Sequence, residues 1–199
     1  MHPPDLSPGP ALRPGILFLD VESSGLHAGA FPVEVGICDD GLVPRSWLIK
    51  PEPGWDRSRW SLAAENIHGL SLERLMDEGS PAVEVAMALA DVTTGKSVHS
   101  DAPDHDGRWL RELSLATGVT LPDRLSHEVD AYAFLAAASQ AEALAIVGRW
   151  RHTSEVVDLV YPHAHRAGPD AAAMAARFRM TLDPVFAGRV EALSGRASR

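Results

Sequence analysis

The sequence predicts an α/β layer protein, a mixed five-stranded sheet flanked by helices, with three antiparallel strands first and parallel additions after them. Three observations lead there: successive strand-like runs near the start, a change to capped helical segments near residue 61, and alternation of short strand-like and helical runs from residue 96 onward. With 199 residues, 45% of them hydrophobic and 23% charged, the chain has the size and composition of one globular domain.

The proline-rich opening "MHPPDLSPGPALRPG" lacks a basic start followed by an apolar core, so it does not read as a secretory signal; residues 1–14 are expected to be a flexible lead-in. A single domain is expected over 15–190, followed by a solvated tail over 191–199. "GILFLDVE" is apolar and rich in strand formers, and "PVEVGICDD" alternates, with Val33, Val35 and Ile37 on one face. "PRSWLIKP" makes the third strand and is ended by "PEPGW". Helices are predicted over "SLAAENIHGL", "SLERLMDEG" and "SPAVEVAMALADVTTG", the last with Ser80 as cap, Pro81 in the first turn and Gly95 as terminator. "KSVHSDA" reads as a short strand and "DGRWLRELSLATG" as a helix whose apolar side is Trp109, Leu110, Leu113 and Leu115. "HEVDAYAFL" starts like a fifth strand, and the remainder reads as helical, most clearly in "GPDAAAMAARF".

Several classes are excluded or disfavoured. No apolar stretch approaches the roughly 20 residues of a membrane-spanning helix. The single cysteine, Cys38, lies in an apolar run and reads as a buried thiol, which makes the cytoplasm the default compartment. A net charge of -9 disfavours a broad basic face for long nucleic acid. A phosphodiester substrate would need positive charge from metal ions.

Residues two apart on a strand share a face, so Asp20 and Glu22 project together and can grip one cation. Alone, the pair is better read as a solvated strand end. Its company changes that reading. "VHSDAPDHDGRWL" places Asp106 where a strand gives way to a helix, a position that suits a carboxylate. "HRAGPDAAAMA" places Pro169 and Asp170 at a helix start, with His165 just outside it.

These segments resemble the DEDDh 3′–5′ exonucleases, the family of the proofreading subunit of bacterial replicative polymerase, RNase T and oligoribonuclease. "DVESSGL" is similar to the family's first motif, "DGRWL" to its second and "HRAGPDA" to its third; "NIHGLS" is similar to the Ile-His-Gly segment between the first two. The motifs stand in family order across Gly15 to Arg179. Departures are "SS" where threonines are common, His105 before Asp106 where an apolar aromatic is usual, and Gly168 in place of a leucine.

The resemblance implies a ribonuclease H-like fold and a two-metal-ion hydrolysis of phosphodiesters, on single-stranded DNA or RNA ends or short oligonucleotides. It implies two divalent ions, Mg2+ or Mn2+, which suit carboxylate oxygen. Asp20, Glu22, Asp106 and Asp170 would be their ligands. Asp20 would bridge both ions, Glu22 and Asp170 would complete one site, and Asp106 would support the other through water. His165 would be the general base, taking a proton from the attacking water near neutral pH. The implied substrate contacts are Ser23, Ser24, Gly25, Leu26 and His68. Trp55, Trp60 and Trp109 could stack on bases, but for each a core or loop-packing role is the better reading.

Two other readings stay open at this point. One is a binding module for nucleic acid or protein on the same fold, without catalysis. The other is a zinc site built on His163 and His165 with His99, His105 or Cys38. The oligomeric state is open too, a homodimer included.

Overall fold

The computed structural model describes residues 9–133 and 140–197. Strand β1 (Ile16–Ser23) pairs antiparallel with β2 (Pro32–Cys38), which pairs antiparallel with β3 (Arg45–Lys50). Helices α1 (Leu62–His68) and α2 (Leu72–Glu78) follow, capped by the hydroxyls of Ser61 and Ser71, which accept from the amides of Ala64 and Arg74. Next come β4 (Ser80–Pro81), α3 (Ala82–Thr93), β5 (Ser97–Ser100), α4 (Pro103–Thr117), β6 (Ser126–His127) and α5 (Glu128–Ala133). Helices α6 (Gln140–Val160), α7 (Ala167–Leu182) and α8 (Pro184–Ala197) complete the described chain. The sheet order is β4-β3-β2-β1-β5-β6, with β5 parallel to β1 and β6 parallel to β5.

The three antiparallel strands, the parallel additions and the flanking helices are as the sequence predicts, with three local corrections. The sheet has six strands rather than five, because Ser80 and Pro81 pair in parallel with Ile49 and Lys50 instead of capping α3. Proline lacks an amide hydrogen, so it is tolerated in this edge position, and α3 starts directly behind it without a side-chain cap. In "HEVDAYAFL" the strand ends at His127 and helix follows, while residues 134 and 135 lie outside the described residues. The switch is set locally: the Val129 amide donates to His127 Nδ1, and the His127 amide donates to Asp130 Oδ2, a reciprocal cap on the new helix. Leu115 is 74% exposed, because the buried side of α4 runs through Trp109, Leu110 and Leu113 and Leu115 falls outside it.

The sheet is covered on both faces. Leu17, Leu19 and Val21 face α3 and α4, packing with Val85, Leu89, Trp109 and Leu110. Ile16 and Phe18 face α7, packing with Ala171, Ala175 and Phe178. The opposite side of α7 packs through Ala176 and Met180 against Phe186 and Val190 of α8. Alanine dominates α7 because the helix is enclosed on two sides, and short side chains let it lie close to the sheet. Cys38 is buried beside Phe178 and Ala175, and burial pushes its thiol up to about 12.

Both chain extremities of the domain are attached to this frame. The amides of Leu12 and Arg13 donate to the Asp40 carboxylate, and Arg179 donates to the Pro10 carbonyl. Helix α8 continues through Ala197, with Ser194 buried.

Candidate active site

Strand β1 changes chemistry halfway along one face. Ile16, Phe18, Asp20 and Glu22 alternate toward the α7 side. The first two fill the core beneath α7, and the two acids emerge where the N-terminus of that helix begins. Asp20 is paired across the sheet with Gly36, and Glu22 with Glu34.

The absence of a side chain at Gly36 sets the height of α7. A Cβ there would lie 2.1 Å from the Ala167 carbonyl carbon and 2.3 Å from the Gly168 nitrogen. The helix therefore starts directly on the strand. Glu34, 1% exposed, receives both Nε and Nη2 of Arg166 at 2.8 Å, and the Ala167 amide at 3.1 Å. That two-pronged ion pair fastens the segment before α7 to the sheet.

Asp170 stands in the first turn of α7. Its carboxylate accepts the Ala164 amide at 3.0 Å and the Arg166 amide at 3.2 Å, and His163 Nδ1 lies 2.8 Å from its Oδ2. His165 is exposed in the loop so formed, with a left-handed backbone (φ 48°) and its ring stacked on that of His163 at 4.6 Å. Asp106 lies in the first turn of α4, 3% exposed, and its Oδ2 accepts the Ser100 hydroxyl. Ser100 Oγ in turn accepts the Ala102 amide at 2.9 Å, which shapes the turn that carries Asp101.

The four acids named from sequence converge. Ligand atoms of Asp20, Glu22 and Asp170 lie within 4.8 Å of one another, as do those of Asp20, Asp106 and Asp101. Asp20 belongs to both groups. A third such group is His163, His165 and Asp170. Of the three partners offered for the zinc reading on His163 and His165, His99 is buried against β6, bonded to Ser97 Oγ and the His127 carbonyl, and Cys38 sits in the core under α7; His105 lines the same cavity, but among the described residues it joins no group of closely spaced ligand atoms.

Crowded carboxylates resist ionisation. Burial, then Asp170 and Glu34, push Glu22 up to about 7. Burial is also the main cause for Asp106, pushed to about 7 with a contribution from Asp101 and against the Ser100 hydrogen bond. Asp20 is raised well above the carboxylate range by burial and by Asp106, Glu22, Asp101 and Asp170. Its Oδ2 is buried without a hydrogen-bond partner. An orphaned carboxylate oxygen amid further carboxylates fits a set of ligands for hard divalent ions.

This arrangement has a measurable consequence for the metal-free protein. The unfolded chain releases the Glu22 and Asp106 protons near 4.5 and 3.8, whereas the folded chain holds them to about 7. Between those values the folded state binds more protons, so these groups lower stability as pH rises. In chelator, the double variant Glu22→Gln/Asp106→Asn should therefore melt above the wild type, by a margin that widens from pH 5 to pH 8. An equal margin at both pH values would overturn this assignment.

A cavity of about 530 Å³ opens over the acids. Asp20, Glu22, Asp101, Asp106, His163 and His165 form its charged floor and rim. Of the substrate contacts named from sequence, Ser23, Gly25, Leu26 and His68 line it; Ser24 does not, because its hydroxyl accepts the Phe31 amide and closes the loop behind. Leu26, 75% exposed, lies across from Ala63, Ala64 and Ile67 of α1. Gly25 admits this close approach of loop and helix, since a Cβ there would meet the His27 ring at 3.0 Å and Ser61 Cβ at 3.1 Å. His68 is buried at the end of α1, where Nδ1 accepts the Leu70 amide and burial holds its pKa below the usual histidine value. Trp55 and Trp60 pack on Phe31, and Trp109 is buried while touching the cavity.

Sequence reasoning missed Asp101 and the Glu34–Arg166 pair, and named His163 only for the zinc alternative. Asp101 stood within a quoted segment but carries no motif spacing. Glu34 and Arg166 are 132 positions apart, beyond any local pattern.

No protein-family model matches the chain, and no curated protein matches its sequence. Solved structures do match. E. coli exonuclease I in complex with a dT13 oligonucleotide is 14% identical with a TM-score of 0.60, over 83% of this chain and 40% of that one. The zinc-ion-bound form of the E. coli exonuclease I–single-stranded DNA complex gives 14% and 0.57, over 87% and 42%. A 3′-exonuclease solved for its 3′-end-specific recognition of a histone mRNA stem-loop gives 12% and 0.58, over 84% and 63%. The chain thus spans about two fifths of exonuclease I. The likeness establishes that the chain shares its fold with these exonucleases. Among the described residues, no helix is long and apolar enough to cross a membrane.

Proposed function

We propose that the chain belongs to the DEDDh group and is a divalent-metal-dependent 3′–5′ exonuclease acting on single-stranded DNA or RNA ends or short oligonucleotides. The observation that carries the reading is the convergence of Asp20, Glu22, Asp106 and Asp170 in two carboxylate groups that share Asp20, with Asp20, Glu22, Asp106 and His165 lining one cavity. The shared fold with nucleases solved on oligonucleotides supports it.

Asp20, Glu22 and Asp170 would hold one ion, and Asp20 with Asp106 the other, Mg2+ or Mn2+ by donor chemistry. When bound, such ions stabilise the attacking and leaving oxygens of the displacement. The protein's own groups supply the remainder. His165 projects from a loop fixed by the Asp170 hydrogen bonds and accepts the proton of the attacking water. Leu26 and the α1 face of Ala63, Ala64 and Ile67 form an apolar slot for the terminal base, and the backbone of Ser23 and Gly25 borders the sugar. A net charge of -9 offers little grip on a long duplex, so affinity for short single strands should depend only weakly on salt.

The test follows 5′-labelled single-stranded DNA and RNA oligonucleotides with Mg2+, with Mn2+ and with chelator. A metal-dependent ladder shortening from the 3′ end is expected, and His165→Ala should slow it by roughly 10²–10⁴-fold. Intact oligonucleotides in the presence of bound ion would overturn the reading in favour of a binding module.

A further inference from the structure

The acid cluster contains one carboxylate more than the motifs require. Asp101 follows directly on the end of β5, exposed, on the turn that Ser100 braces. Its carboxylate joins those of Asp20 and Asp106 within 4.8 Å and lines the same cavity. Among the described residues it has no ion-pair partner, and it raises the pKa of both Asp20 and Asp106.

An exposed aspartate on a surface turn is free to point toward water. Here it adds to the repulsion around Asp20, whose Oδ2 is buried in that group without a hydrogen bond. A cation between the three reverses the sign of every one of these interactions. The two groups then become symmetric: Asp20 is shared, Glu22 and Asp170 complete one set, and Asp101 and Asp106 complete the other.

We propose that Asp101 is a direct ligand of the second divalent ion, giving that position three protein carboxylates. The inference rests on the two-ion reading of the site. It predicts that the second ion is held by the protein before substrate arrives, because its ligand set does not wait for a phosphate oxygen.

The experiment is calorimetric titration of the full chain with Mn2+, for wild type, Asp101→Asn and Asp20→Asn, alongside melting curves in chelator. Wild type should bind two ions. Asp101→Asn should keep one and weaken the other by about 10-fold or more, and its metal-free form should melt about 2–4 °C higher once the repulsion is relieved. A wild-type titration curve for Asp101→Asn, with Asp20→Asn impaired, would overturn the role of Asp101 and leave the exonuclease reading standing. Unimpaired binding by Asp20→Asn, or no binding by wild type, would overturn both.

Discussion

Asp20→Asn should abolish cleavage and raise the melting temperature of the metal-free protein. The two effects share one cause. Asp20 is the residue common to both carboxylate groups, and its Oδ2 has no hydrogen-bond partner to stabilise charge. Asparagine keeps the shape and removes the charge that burial and four neighbouring acids oppose. Loss of a shared ligand disables both ion positions at once, so the rate should fall by at least about 10³-fold, the scale seen when one preorganised electrostatic contact is deleted. Melting in chelator should rise by several degrees while the added stability from Mn2+ disappears, a trade of function against stability. Melting in chelator at or below the wild-type value would show that Asp20 is not held under repulsion, and activity retained within 10-fold would remove it from the reaction.

The second large effect lies one strand away, at the cross-strand partner of Asp20. Gly36→Ala places a methyl 2.1 Å from the Ala167 carbonyl carbon, and the obstructing atoms are backbone, which cannot swing aside. Either β2 or the start of α7 must move. The stability cost should reach about 3 kcal/mol, or a fall in melting temperature of roughly 6–12 °C. Activity should fall more than folding does at a temperature where the variant remains native, because the same displacement lifts Asp170 and His165 away from Asp20 and Glu22. Circular dichroism melts and oligonucleotide cleavage at low temperature check both halves. A native melting temperature for Gly36→Ala would mean that α7 does not rest on the strand.

Gly36 also marks the boundary of what the sequence could disclose. The strand texture of β1 to β3 was legible because short apolar and β-branched runs bounded by turn residues mark strands even where both faces are covered, and the start of α7 was legible from Pro169 and Asp170. The four acids and His165 could be named because each stands in a short pattern. Their mutual distances could not, since those depend on Gly36 and on the Glu34–Arg166 pair, contacts between residues far apart in sequence. The misread places have local causes as well. Ser80 has the chemistry of a cap, yet the adjoining edge of β3 offered pairing that the sequence does not display. "HEVDAYAFL" is apolar enough for a strand, yet His127 and Asp130 cap each other into a helix. Asp101 was passed over because a turn between strand and helix commonly carries an aspartate, and only the structure shows which neighbours it faces.

The position of α7 has a bearing on how the chain is made. Asp20 and Glu22 leave the ribosome early, Asp106 midway, and His165 and Asp170 near the end of the domain. Synthesis proceeds from the N-terminus, and a domain folds as a unit. Until α7 docks on β1 and β2, the early acids face water and can relax apart, with no partner to bring them to bear on a common ion. A growing chain thus lacks the assembled carboxylate cluster, and with it the cleavage proposed above, until α7 has docked.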